Sequence, residues 1–385
     1  MLLIWDIHIH PRYGDSIVQM LRTFVQKNNH EQNIIFVGDY VYHFSYHRPS
    51  LLALLDFFLE LTEQWKAVYV LAGNHDRLGQ HFVYAEAEKI QNSLNSNKER
   101  GQHWWIHFIT TPQILKIESE DIFFLPYMLS WKDSDDLNAY ISEIVSQHTH
   151  SQHRQLTIIH HYYVAETAFP GLQVKFGYKD LALQPHWLDD DRLVLISGHI
   201  HHAFSYKNYL CIGAVRSTSP VEFNQLQYLF SYDISTKKVI AHQVALNPYL
   251  QIERQWDQIT HDFLQTRWTQ LIEECKMYFI SNIFDIEIVD AELLTERVTL
   301  SLLSNDLQYD QLSEVCDDRL RDTFRDIKLK RKYDTLDLSI EKLTNETQNF
   351  SSWRSDRKQL LDDYLLQKFG DRKEQYESML REIWA

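Results

Sequence analysis

The chain has 385 residues, of which 44% are hydrophobic and 24% charged, and a formal net charge of -15. This is the composition of a soluble globular protein with room for two domains, and the acidic balance argues against a freestanding basic nucleic-acid binder. Three scattered cysteines, Cys211, Cys275 and Cys316, exclude a disulfide framework and fit reduced thiols in a cytoplasmic protein.

In chain order, the apolar start Met1–Trp5 is too short for a signal-peptide core and lacks a basic leader, so it reads as a first β-strand. Similar short runs follow at Ile34–Val37, Val68–Leu71, Ile122–Leu125, Thr157–Ile159, Leu193–Ile196 and Tyr228–Tyr232. Asp15–Lys27 and Ser50–Trp65 are helical between them, the second preceded by Pro49. Strands alternating with helices, then strands returning in pairs, predict a layered α/β domain over 1–245. Beyond it, Trp256–Met277 and Gln311–Arg321 read as helices, and Phe284–Val289, Arg297–Leu303 and Asp326–Tyr333 as strands. These elements predict a small α+β capping domain over 246–333. A polar linker over 334–352 leads to a helical pair over 353–385. No run of about 18 apolar residues occurs, so no membrane partner is expected.

Chemistry concentrates in Asp6-Ile-His8, Gly38-Asp39, Gly73-Asn-His-Asp76, His160-His161 and Gly198-His-Ile-His201. Each segment follows an apolar strand-like run, so a sheet that aligns those strands brings the polar groups to one edge. Imidazole with carboxylate suits first-row divalent ions, and no thiolate is among them. Two ions about 3.5–4 Å apart need a bridging ligand, a role a carboxylate fills well; Asp39 is the natural candidate. Two such ions would return about four positive charges to an acidic chain.

Over residues 1–235 these segments resemble the calcineurin-like metallophosphoesterases. The resemblance implies a β-sandwich flanked by helices and two divalent ions, most of all Mn2+. One ion would take Asp6, His8, Asp39 and His201, and the other Asp39, Asn74, His160 and His199. His160 is preferred to His161 because it comes first after its strand. His75 would be the catalytic imidazole beside the phosphate, oriented by Asp76 or a nearby group. Gly38-Asp-Tyr-Val41 is similar to the protein phosphatases, but Tyr42-His43-Phe44 replaces their Asp-Arg-Gly. His43, His47, Arg48-Pro-Ser50 and Gly73-Asn-His-Asp-Arg77 are instead similar to the SbcD nucleases, with His43 or His47 as the acid for the leaving group. The implied function is a DNA exo- and endonuclease working with an SbcC-like coiled-coil ATPase in DNA end processing or repair. The alternative within the superfamily is a phosphomonoesterase or cyclic-nucleotide phosphodiesterase.

Two partner expectations follow. In Ser50–Gln64, Asp56, Glu60 and Glu63 form a narrow polar stripe on an otherwise apolar helix. A surface helix buries about a third of its circumference, so the excess, with Phe82–Leu94, predicts a homodimer, as the resemblance also implies. In the terminal pair, Gly370 and Asp371 separate two helices, and Glu374 completes a capping box. Leu360, Leu361, Tyr364, Leu365 and Phe369 make one apolar face; Tyr376, Met379, Leu380 and Ile383 make the other. Short helices of this kind must dock on something, and the resemblance implies the root of the ATPase coiled coil.

Overall fold

Leu2 and Ile4 of β1 (Leu2–Ile4) pack among helix side chains, whereas Leu3, and Trp5 just past the strand, enter a different cluster. The same split runs through β2 (Asn33–Val37), where Ile34 and Phe36 separate from Ile35 and Val37. In β3 (Ala67–Leu71), Val68 and Val70 separate from Tyr69 and Leu71. Successive side chains of a strand point to opposite faces, so these strands are buried on both sides, which is why their sequences run continuously apolar.

The computed structural model describes residues 1–9, 14–41, 48–78, 81–85, 87–89, 106–152, 155–164, 181–217, 224–244, 249–252, 260–281, 283–291, 299–304 and 326–331. After β3 come two hairpin strands, β4 (Arg77–Leu78) and β5 (His81–Phe82), then β6 (Ile106–Ile109), β7 (Gln113–Ile117) and β8 (Glu120–Leu125). Next are β9 (Leu156–His160), the small parallel pair β10 (Tyr163–Val164) and β11 (Ala182–Leu183), and β12 (Leu193–Ser197), β13 (Ala203–Tyr206) and β14 (Tyr209–Ile212). The chain continues through β15 (Gln227–Asp233), β16 (Lys238–Val244), β17 (Tyr249–Ile252), β18 (Phe279–Ile280), β19 (Asp285–Val289), β20 (Thr299–Ser304) and β21 (Asp326–Arg331).

Two seven-stranded sheets result, ordered β19-β16-β15-β1-β2-β3-β6 and β18-β13-β14-β12-β9-β8-β7. Between them lies a core to which both contribute, Leu3, Ile35 and Leu71 from the first and Phe124, Ile159 and Ile196 from the second. Helices α1 (Gly14–Lys27) and α2 (Arg48–Glu63) cover the outer face of the first sheet. Helix α3 (Ser134–Gln152) covers the second through Leu137, Ile141 and Val145. In α1, Ile17, Val18, Leu21, Phe24 and Val25 form the buried stripe expected of one helix face. In α2, Leu51, Leu54, Phe57, Phe58 and Leu61 are buried within the chain, while Leu52 is 47% exposed. The protein's own core takes these five side chains, while Leu55 and Leu59 are only partly buried and stay, with Leu52, on the less covered side of the helix.

The segment after residue 245 differs from the expected separate cap. β18 adds to β13 and β19 to β16, both in parallel, so both large sheets end on strands from this segment. Helix α4 (His261–Lys276) is capped by Thr260, whose hydroxyl accepts the Phe263 N–H at 3.1 Å. It buries Leu264, Trp268, Leu271 and Ile272 in the core between the sheets. The alternation Phe284, Ile286, Ile288 reads equally as a small module or as the edge of a large sheet, and here it is an edge. β17, β20 and β21 form a small parallel sheet of their own. The chain divides into two units, Met1–Arg331 and Lys332–Ala385. The expected helix at 311–321, the linker over 334–352 and the helical pair over 353–385 lie outside the described residues. Among the described residues no helix is long and apolar enough to cross a membrane.

Candidate metal centre

Parallel pairing places the C-terminal ends of β1, β2 and β3 side by side, and those of β9 and β12 likewise in the other sheet. Asp6, Asp39 and Asn74 follow the first three strands; His161, His199 and His201 follow the other two. Past their strands the first two segments stay paired, with the His8 N–H donating to the Asp39 carbonyl at 2.8 Å. This is how residues distant in sequence reach one spot.

Two sets of ligand atoms converge there. Asp6, His8 and His201 form one and Asp39, His161 and His199 the other, each with its atoms within 4.8 Å of one another. His8 Nε2 and His201 Nε2 are 3.0 Å apart, and His161 Nε2 lies 3.2 Å from Asp39 Oδ2. Asn74 joins the second set: its outer amide atom is 2.9 Å from His161 Nε2 and 3.1 Å from His199 Nδ1. The same atom is 3.1 and 3.2 Å from the two Asp39 oxygens. With the amide oxygen in that place, acceptors crowd on acceptors, and a cation at their centre satisfies them together. Without a cation the amide must turn its NH2 toward Asp39. The donor set of carboxylate, amide and imidazole therefore fits divalent ions.

The backbone is bent to make this possible. Asp6, His8, Asp39 and His199 have φ of 36°, 40°, 53° and 73°. Such left-handed conformations cost a non-glycine residue on the order of 1–3 kcal/mol each and gather where function requires them. Close approach explains two glycines. A Cβ on Gly73 would lie 2.3 Å from Asp39 N, and one on Gly198 would lie 0.9 Å from the buried Trp5 indole nitrogen.

Burial, then the neighbouring His201, holds the His8 imidazole well below its ordinary value. Burial, then His161, lowers His199 to about 3. Both rings are thus neutral with a lone pair to offer. Burial alone would push the Asp39 carboxyl up, but His161, then His8 and His75, bring it well below the usual range. Asp39 therefore stays an anion inside the protein.

The structure separates the two adjacent histidines. His161 lies in the centre; His160, the expected ligand, does not. Ile159 faces the core between the sheets and Ile158 the α3 side, so His160 continues the outer face and its ring lies parallel to that of Tyr209, 6.1 Å away. One residue later, His161 returns to the face of Asp39, its Nδ1 3.0 Å from the Val37 carbonyl oxygen. Burial, then the neighbouring His161, lowers His160 to about 3.

His75 stands beside both sets and in neither. Its ring centroid is 5.1 Å from that of His8, and its Nε2 is 4.0 Å from Asp39 Oδ2. The His75 and His201 side chains are 19% and 23% exposed, whereas His161 and Asp6 are at 0%, so the centre opens on the His75 side. Asp76 does not orient His75. Its carboxylate accepts the backbone N–H groups of Tyr40 at 2.6 Å, Gly73 at 2.8 Å and Val41 at 3.3 Å, clamping two ligand-bearing loops together. Burial, then the Asp39 charge, pushes Asp76 up to about 7. His43 and His47 lie outside the described residues.

Three residues near the centre carried no signal in a ligand motif. Arg216 is buried, and its Nη2 donates to the His8 carbonyl at 2.8 Å. Its only trace in the sequence is an arginine in the apolar stretch Gly213-Ala-Val-Arg216. The Trp5 indole fills the space left by Gly198. The Tyr162 hydroxyl accepts from Met128 N at 2.9 Å and Trp131 Nε1 at 3.0 Å and donates to the Pro126 carbonyl at 2.9 Å.

With this geometry in place, comparison with known proteins is decisive on one point: the family model for calcineurin-like phosphoesterases matches residues 2–203. The chain belongs to that family. It is therefore a metal-binding hydrolase of phosphoesters. Its fold of two large sheets with flanking helices accords with that membership. No curated protein sequence matches the chain. Among solved structures it is similar to a protein of unknown function from Aquifex aeolicus, at 13% identity over 49% of this chain and 91% of that one. The TM-score is 0.25, too low to inform the fold.

Proposed function

We propose that this phosphoesterase is a two-metal DNA nuclease. The observation that carries the hydrolytic part is the position of His75, an imidazole on the open side of two converging ligand sets and a member of neither. Two divalent ions would supply Lewis-acid polarisation of a phosphoryl group and a more acidic water. His8, His161, His199, His201, Asp6, Asp39 and Asn74 would hold them. His75 hydrogen-bonds the phosphoryl oxygen as charge builds on it, and His43 or His47 protonates the departing sugar oxygen.

What supports DNA as substrate is the similarity of Gly73-Asn-His-Asp-Arg77, His43, His47 and Arg48-Pro-Ser50 to SbcD nucleases. On the same ground we assign Mn2+ as the working ion, a homodimer through α2, and an SbcC-like ATPase as the partner of 353–385. Turnover of nitrophenyl phosphate, bis-nitrophenyl phosphate and duplex DNA with Mn2+ tests the reading. Cleavage of DNA and the diester, with little monoester turnover, is the expected result. Monoester turnover without any DNA cleavage overturns it.

A further inference from the structure

The two imidazoles of the first ligand set, His8 and His201, lie 193 residues apart in the chain. Their main-chain carbonyls are nevertheless held by one short segment that directly follows β14. The Ala214 N–H donates to the His201 carbonyl at 3.2 Å, and Arg216 Nη2 donates to the His8 carbonyl at 2.8 Å. Gly213, which opens the segment, has a φ of 69°, and a Cβ there would lie 3.0 Å from the His201 carbonyl oxygen. Glycine is what lets the chain close on His201 at that point. Val215 joins the outer cluster that holds Ile7 and Ile9, and Ser217 Oγ accepts from Gln227 Nε2 of β15 at 2.9 Å. The segment is thus anchored to the first sheet while it grips both histidines.

Arg216 is the unusual member. It is 4% exposed, and a guanidinium stays charged when buried, which is costly. What it holds is a residue whose geometry matters. The His8 backbone has a φ of 40°, its N–H donates to the Asp39 carbonyl at 2.8 Å, and its Nδ1 lies 3.0 Å from the Val41 carbonyl oxygen. A carbonyl only accepts, so Nδ1 carries the proton and Nε2 keeps the lone pair. Arg216 fixes the remaining main-chain polar group of the same residue. With N–H, carbonyl and Nδ1 all committed, Nε2 is the one atom of His8 left to offer an ion.

We infer that Arg216 is a positioning residue that acts through the His8 carbonyl to set the affinity of the first ligand set, Asp6, His8 and His201, for its ion. Its charge alone would act the other way. A nearby cation repels a divalent ion, so neutralising it would strengthen binding. Positioning predicts weaker binding, at one set and not at the other. This role rests on the two-metal reading of the centre.

The test is Mn2+ binding to the full-length protein by titration calorimetry, with electron paramagnetic resonance to tell paired ions from isolated ones. The wild-type protein should take up two ions. Arg216→Gln should weaken one of them by about 10- to 100-fold, the cost of losing a residue that orients a ligand. The other should keep its wild-type affinity, and the exchange-coupled signal should give way to that of isolated Mn2+. Anomalous scattering should then find the remaining ion at Asp39, His161 and His199. Arg216→Lys, which keeps the charge and one donor group, should recover part of the affinity. Should Arg216→Gln fail to fold, Arg216→Lys serves in its place, with about a tenfold loss expected in the same ion alone. Unchanged affinity, a rise in affinity, or equal loss at both sets overturns the positioning role. A wild-type protein that takes up a single ion overturns the two-metal reading on which the role rests.

Discussion

The amide of Asn74, just past β3, meets the imidazole of His161, just past β9, at 2.9 Å. That contact joins the two sheets at their C-terminal edges and fixes which of two adjacent histidines serves the centre. His161→Ala should therefore lower Mn2+ affinity by about 100-fold, at or beyond the upper end of what loss of a partner residue costs. His160→Phe should leave metal content at the wild-type level, because the His160 ring lies against Tyr209 and belongs to neither ligand set. Metal analysis after dialysis separates the two, and the reverse outcome would return the role to His160.

His75→Ala should retain both ions while diester turnover falls by about 10²–10⁴, the range for losing a general acid–base or charge-stabilising group. Metal analysis and steady-state kinetics check this together. Anomalous scattering that places a metal ion within bonding distance of His75 would refute it.

Gly198→Ala places a methyl group within 0.9 Å of the Trp5 indole nitrogen, and both residues are enclosed. The indole is buried and must shift against its neighbours, so the cost should be on the order of 3 kcal/mol. Urea unfolding measures it, and an unchanged midpoint would show that Trp5 moves freely.

Tyr162→Phe removes the acceptor shared by Met128 N and Trp131 Nε1. Leaving such donors unsatisfied should cost about 1–3 kcal/mol. Because Arg77 holds the same loop through Tyr127, the variant should also expose the loop to protease sooner. Limited proteolysis reads this out, and identical digestion would mean the loop is held elsewhere.

Deleting residues 350–385 should leave Mn2+-dependent turnover of small diesters intact while abolishing copurification with a coiled-coil ATPase. Aggregation of the truncated protein would instead make the terminal helices part of the core.

Much of the centre was legible in the sequence, because its chemistry is local. Asp6-Ile-His8, Gly38-Asp39, Gly73-Asn-His75 and Gly198-His-Ile-His201 each end an apolar strand, and a strand end is where a side chain can turn toward a shared point. The seven strands read from apolar runs are present, as are α1 and α2. The weaker elements, such as β7 and α3, carry mixed polar residues whose pattern is set by one buried face each. The choice between His160 and His161 was not local. Strands buried on both sides show no alternation in sequence, so only packing decides which parity faces the core between the sheets. The edge strands β18 and β19 were likewise decided by tertiary structure, since a short apolar strand pairs with whichever sheet leaves an edge open. Asp76 reads as an acid beside a catalytic histidine, yet three backbone N–H groups from loops it does not adjoin or barely adjoins make it a clamp. Sequence determined which chemical groups the protein brings to its centre. Tertiary structure decided which way each one faces, because direction depends on neighbours that the chain meets only once it has folded.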